Sequence, residues 1–328
     1  MKNYRWGIIG PGKIAHKFAV ALTLAGGAQL EAVASRDGSR AREFAEKFGV
    51  LKHYDSYEAL VKDPDVDAIY VATPHAFHCD QVLLCLAHGK PVLCEKPMAL
   101  SARQVEKMVQ AARDNQVFLM EAMWTRFLPH TEKILELIRE GQLGTIQYVR
   151  ADFGFAGDYN VENRLFNMSL GGGSLLDIGV YPLFLCLLLL GKPDGIQATG
   201  KLTPTGADES CHALLHYREG ATAVISATFS CQTSITAEIA GTEGLIQIPS
   251  AWYKNDRFTL RRPGVDGSSE VFQLEPMVNG FEYQIRELMR CVDGGLIESP
   301  SMSHDFSLLL SRTMDEIRRQ VGVRYPGE

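Results

Sequence analysis

Hydrophobic residues follow two rhythms along this chain of 328 residues. Up to about residue 122, short apolar runs alternate with stretches whose apolar positions recur every three to four residues. Residues 5–10, 29–35, 65–73, 91–94 and 117–122 read as buried strands. Residues 13–24, 39–48 and 81–88 read as the helices between them, with Gly49 closing the second. In the next helix Val105, Met108, Val109 and Ala112 recur at i, i+3, i+4 and i+7. Ser101 through Gln104 there predicts a capping box, Gln104 reaching back to Ser101. Strands alternating with helices, ending in the strand at 117–122, predict a doubly wound parallel sheet.

Past residue 122 the rhythm changes. One helix, residues 129–140 closed by Gly141, precedes a succession of strands at 146–153, 211–217, 222–230, 235–240, 245–248, 258–261 and 271–274. In 222–230 Ala223, Ile225, Ala227 and Phe229 take one face, and Thr222, Ser226 and Thr228 the other, Val224 being the exception. That alternation predicts a large open antiparallel sheet with unlike faces. Helices at 280–292 and 303–320 are expected to cover one side of it, and a second copy of the chain the other, as a homodimer. The expected fold is α/β: a dinucleotide-binding domain over 1–122, then an α+β substrate-binding and dimerisation domain over 123–328.

The net charge of -6, without a dense Lys/Arg run, argues against nucleic acid as a partner. Cysteines 79, 85, 94, 186, 211, 231 and 291 are odd in number and form no CxxC pair, so neither a disulfide framework nor a zinc site is indicated. No signal peptide is legible, and the apolar run 183–190 is too short to span a bilayer. A cytoplasmic location is expected.

Three stretches carry candidate chemistry. Gly10-Pro11-Gly12-Lys13-Ile14-Ala15 fits G-x-G-x-x-A between a strand and a helix. There one glycine makes the tight turn, the next admits a pyrophosphate, and the helix N-terminus faces the phosphates. This is the signature of a Rossmann domain. The next strand ends in Ser35-Arg36 where an NAD site carries a carboxylate, which points to NADP, although Asp37 follows directly and NAD stays possible. Thr73 and Pro74 end another strand and are expected beside the nicotinamide, with His75 also expected to bind the cofactor. His75 and His78 are three apart, yet nothing nearby completes a metal set, so no metal is expected. The second stretch is Glu95-Lys96-Pro97, charge at the carboxyl end of a buried strand. The third runs from Gly171-Gly172-Gly173 into a helix carrying Asp177 and Tyr181, whose separation of four places both on one face, with Pro182 as a start or kink.

In their order and spacing these motifs resemble the glucose–fructose oxidoreductase/inositol dehydrogenase (Gfo/Idh/MocA) family over essentially the whole chain. The resemblance implies an active-site lysine at Lys96, completed by Asp177 and Tyr181. Tyr181 stands where sugar and inositol dehydrogenases commonly have His. Together with the run from Glu121 to Phe127, it is more similar to the dimeric dihydrodiol dehydrogenase/NADP D-xylose 1-dehydrogenase branch. Trp124 and Trp252 are then expected as aromatic walls for substrate. The implied reaction is reversible hydride transfer between nicotinamide and a CH–OH carbon of a sugar or trans-dihydrodiol. Lys96 and Tyr181 share the proton-transfer and charge-stabilising roles in either order, Asp177 orients, and Glu95 orients Lys96 or the cofactor ribose. The alternatives are a sugar or keto-sugar reductase, a cyclitol dehydrogenase, and a non-catalytic NADP-binding regulator.

Overall fold

The computed structural model describes residues 3–262 and 269–326. It divides the chain into two compact units, Met1–Trp124 with Val278–Ser311, and Thr125–Met277 with Arg312–Glu328.

The first unit is the doubly wound sheet. Strands β1 (Tyr4–Ile9), β2 (Ala28–Ala34), β3 (Lys52–Tyr54), β4 (Ala68–Val71), β5 (Val92–Glu95) and β6 (Leu119–Ala122) run parallel in the order β3-β2-β1-β4-β5-β6. Between them lie α1 (Lys13–Ala25), α2 (Gly38–Phe48), α3 (Tyr57–Val61), α4 (His78–Ala87) and α5 (Ala102–Asn115). That order reverses between β1 and β4, which is where such sheets hold a ligand at their carboxyl ends. The strand unplaced in the sequence is β3, three residues at the sheet edge. At α5, Ser101 is the N-cap residue but its side chain makes no cap bond. Gln104 Oε1 accepts from Leu100 N at 3.0 Å, one residue upstream of the expected partner.

The chain returns to this unit late, with α8 (Glu282–Asp293) and the start of α9 (His304–Val321). Residues 280–292 were expected to cover the second sheet. Instead α8 packs on α1, where Arg286 Nε donates to Ala25 O at 2.9 Å and Arg286 Nη2 to Leu24 O at 2.6 Å.

The second unit opens with α6 (Pro129–Arg139), its proline at the first helical turn. Its sheet comprises β7 (Ile146–Gly154), β8 (Gly195–Leu202), β9 (Asp208–His216), β10 (Thr222–Thr228), β11 (Ala237–Gly241), β12 (Leu245–Ile248), β13 (Arg257–Arg261) and β14 (Ser269–Gln273), in the order β14-β13-β12-β11-β7-β10-β9-β8. The expectation of a wholly antiparallel sheet is corrected at its centre, where β7 and β10 pair in parallel. The strand missed in the sequence is β8, at the edge beside β9. Ala223, Ile225 and Ala227 bury one face with Val149 and Ala151 of β7 and Leu215 of β9. The end of α9 belongs here, Gln320 Nε2 donating to Ile196 O at 2.9 Å along β8.

The core helix of this unit is α7 (Val180–Leu190), preceded by a single π-helical segment, Leu175–Gly179. Pro182 brings no N–H to the ladder, and a wider turn before it is one way a helix accommodates that loss. The run Met168–Leu190 is long and apolar enough to cross a bilayer, but 83% of its apolar 18-residue window is buried inside the protein, as a core helix would be.

Candidate active site

In the first unit the predicted cofactor residues line up on the carboxyl ends of consecutive strands. Gly10 ends β1 with φ +90°, a conformation that favours glycine. A Cβ there would stand 2.7 Å from Thr73 Cγ2 and 3.0 Å from Thr73 N. The glycine thus lets the ends of β1 and β4 close on each other at the point of strand reversal. Gly12 caps α1 without any side-chain bond, and no acidic residue occupies the first turn. The N–H groups around Lys13 and Ile14 are therefore presented without a competing carboxylate, as a pyrophosphate requires.

At the end of β2, Ser35 is buried and its Oγ accepts from Asp37 N at 3.2 Å. Arg36 is exposed and lays its guanidinium over the Phe77 ring, 4.8 Å from the centroid. Asp37 caps α2, accepting from Ser39 N at 3.0 Å, and the Ser39 hydroxyl holds its carboxyl below the usual range. The carboxylate that left NAD open at the sequence level is thus engaged in its own helix.

Thr73 Oγ1 donates to Gln81 at 2.6 Å, and His75 is buried beside it. His78 has no exposed surface, and its ring nitrogens meet Thr73 O at 2.8 Å and Pro97 O at 3.0 Å. It is a structural tie between the loops after β4 and β5. Glu95 closes β5, buried, accepting from the Tyr70 hydroxyl and from Lys96 N at 3.2 Å. Tyr70 is itself fixed by stacking on Phe18, centroids 3.7 Å apart. Of the two roles expected for Glu95, the structure shows it anchoring the backbone of Lys96. Trp124 is nearly buried, its ring edge-on to Phe281 at 4.9 Å.

In the second unit Asp177 and Tyr181 lie on the π-to-α helix segment, both buried. Asp177 is gripped by Arg164 in a fork, Nη1 to Oδ1 at 2.8 Å and Nη2 to Oδ2 at 3.3 Å. Arg164 went unidentified in the sequence. It comes from a loop folded by Asn160, Asn163 and Asn167, whose side chains accept from the backbone N–H two residues on, at 2.9, 3.1 and 2.9 Å. The glycine run admits this loop. A Cβ on Gly172 would lie 2.8 Å from Arg164 O and from Asn167 N, and one on Gly173 would lie 2.2 Å from Asp208 Oδ1. Close approach at these glycines is thus by the chain itself.

The Tyr181 ring stands 5.8 Å from Phe153 and 5.3 Å from Tyr253, and Phe153 stacks on Tyr253 at 4.5 Å. Trp252, expected as an aromatic wall, is corrected: it is 1% exposed and donates from Nε1 to Asp152 O at 3.0 Å, a core residue. Its neighbour Tyr253 is the residue whose ring meets Phe153 and Tyr181, and it is tied down where Thr125 Oγ1 donates to its carbonyl at 2.8 Å. Among the described residues no cluster of His, Cys, Asp and Glu is arranged to hold a metal.

Comparison with known proteins fits this geometry. Residues 4–123 match the oxidoreductase family with NAD-binding Rossmann fold, and residues 131–247 match the GFO/IDH/MocA C-terminal domain. The chain is 41% identical over 334 residues to a trans-1,2-dihydrobenzene-1,2-diol dehydrogenase of Xenopus tropicalis, covering 98% of this chain and 99% of the relative. It is 42% identical over 330 residues to that of Danio rerio, covering 98% of each. Among solved structures it is similar to a 3-ketoreductase from Actinomadura kijaniata in complex with NADP and TDP-benzene (TM-score 0.86, 28% identity, 98% of each chain). It is also similar to an aldose-aldose oxidoreductase from Caulobacter crescentus complexed with glycerol (TM-score 0.88, 25% identity, 98% of each chain). In both of its domains and over its whole length, the chain belongs to the GFO/IDH/MocA family of oxidoreductases.

Proposed function

We propose that the protein is an NADP-preferring dehydrogenase that oxidises a CH–OH group of a trans-dihydrodiol or a sugar, reversibly. The observation that carries this reading is the array at the strand ends of the first unit: the Gly10 turn against Thr73, Arg36 exposed at the end of β2, and Lys96 anchored by Glu95. A bound nicotinamide would supply the hydride acceptor. The chain supplies the rest. Arg36 and the Ser35 hydroxyl favour a 2′-phosphate, and Asp37, committed to α2, does not oppose it. Tyr181 takes the substrate hydroxyl proton. A free phenol ionises near 10, so it needs a neighbouring cation to act as a base. As the family resemblance implies, Lys96 is assigned that charge and the polarising of the substrate oxygen, while Asp177, held by Arg164, orients the substrate. The Phe153–Tyr253 stack beside Tyr181 suits a planar ring or the apolar face of a sugar.

The relatives' activity on dihydrodiols supports the first of these substrates. We assign the protein to the cytoplasm, consistent with seven free thiols, six of them buried. A homodimer forms through the outer face of the second sheet, where Val224 and Leu214 are register partners opposite the buried core. The test is the absorbance of reduced nicotinamide with NADP⁺ or NAD⁺ against a trans-dihydrodiol, D-xylose and D-glucose. Turnover with NADP⁺ and little with NAD⁺ is expected, and Tyr181→Phe lowers kcat roughly 10²–10⁴-fold. Full turnover by Tyr181→Phe removes it from the chemistry, and equal use of both cofactors refutes the Arg36 argument.

A further inference from the structure

The carboxyl end of β6 carries a group that the scheme above leaves unused. Glu121 is 2% exposed and pairs in register with Cys94, so it lies one strand across from the start of the Glu95–Lys96 turn. Its Oε1 accepts from Met98 N at 2.9 Å, and its Oε2 from Ser307 Oγ of α9 at 2.7 Å. The turn that presents Lys96 is therefore gripped at three successive residues. Glu95 takes Lys96 N, His78 takes Pro97 O, and Glu121 takes Met98 N.

We propose that Glu121 is a positioning residue for Lys96, fixing the 96–98 turn and setting, through its own protonation, the electric field at the Lys96 ammonium. The proposal rests on Lys96 being catalytic. Burial raises the Glu121 carboxyl to about 7. Glu95 pushes it the same way, while Ser307, Met98 N and Lys96 pull it back. The groups facing it are Cys94 and Glu95 from β5, Lys96 from the turn, and Ser307 from α9. His78 reaches the same turn from α4, its pKa lowered by burial. Below about pH 7 Glu121 is neutral; above it the carboxylate adds an attractive field at the Lys96 ammonium, whose placement the 96–98 turn sets.

The test compares the wild type with Glu121→Gln, Ser307→Ala and Lys96→Met, reading kcat from about pH 6 to about pH 9 and NADPH affinity by fluorescence. Glutamine keeps an acceptor for Met98 N and a partner for Ser307 but cannot ionise. The wild type is expected to show an inflection in kcat near 7. In Glu121→Gln that inflection is absent and kcat at high pH falls about tenfold, with NADPH affinity unchanged. In Ser307→Ala the inflection moves up, because a bond that favours the anion is gone. If Lys96→Met stays active, the reading of Lys96 fails. If Lys96→Met is inactive while Glu121→Gln keeps the wild-type inflection, or Ser307→Ala leaves it in place, the Glu121 proposal fails.

Discussion

Asp208 offers a quantitative test of how the helix under Asp177 and Tyr181 is held. It has no exposed surface, and its Oδ2 accepts from Ser174 Oγ and from Leu175 N, both at 2.7 Å. Its Oδ1 meets no partner among the described residues. Burial raises the carboxyl from its ordinary 3.8 to about 6, against the pull of Ser174, Leu175 N and Arg318. A raised carboxyl binds its proton more tightly in the folded than in the unfolded chain. Its contribution to stability is therefore complete below the unfolded value and is lost as pH rises through the folded one. A rise of roughly two units, at ~1.4 kcal/mol per unit, is about 3 kcal/mol lost across that window. Asp208→Asn keeps an acceptor for Ser174 and Leu175 and removes the ionisation. Urea unfolding of both proteins from about pH 4.5 to about pH 7.5 is expected to show the asparagine protein gaining about 2 kcal/mol on the wild type, the part of the window that this range spans. Parallel stability curves would refute the argument, because they would mean that Asp208 loses its proton as readily folded as unfolded.

Two further substitutions separate the two halves of the proposed site. Gly10→Ala puts a methyl 2.7 Å from Thr73 Cγ2 at a φ of +90°, so NADPH affinity, read by fluorescence titration, falls at least roughly tenfold; unchanged affinity would mean that the turn tolerates a side chain and does not cradle the cofactor. Arg164→Leu leaves the buried Asp177 without its fork, and steady-state kinetics are expected to show KM rising and kcat falling, roughly tenfold each; unaltered kinetics would remove Asp177 orientation from the mechanism.

The parts legible in the sequence were those written in local periodicity. The buried strands and amphipathic helices of the first unit stand close to where the pattern placed them, because burial on one face fixes a repeat that a reader sees directly. The strands that escaped were β3 and β8. Lys52–Tyr54 is three residues long, and Gly195–Leu202 runs half exposed along an edge, so neither carries a clear alternation. Direction and partner were illegible for a different reason. Nothing in 146–153 or 222–230 states that β7 and β10 run parallel, and the apolar stripe of α8 marks a buried face without saying that α1 covers it.

The candidate site shows the same limit at finer grain. Trp252 and Tyr253 are adjacent aromatics, and only the fold decides that the indole turns inward onto Asp152 O while the phenol ring stacks on Phe153. Three consecutive glycines announce a close approach, but not of what. The approaching segment was partly readable, since Asn160, Asn163 and Asn167 are turn residues. What no spacing conveys is that the loop they fold docks on Gly172 and so sets Arg164, thirteen positions from Asp177 in sequence, onto its carboxylate. The glycines and the asparagines are therefore one device: the asparagines shape the loop, the glycines leave room for it, and an exposed arginine is delivered to a buried aspartate.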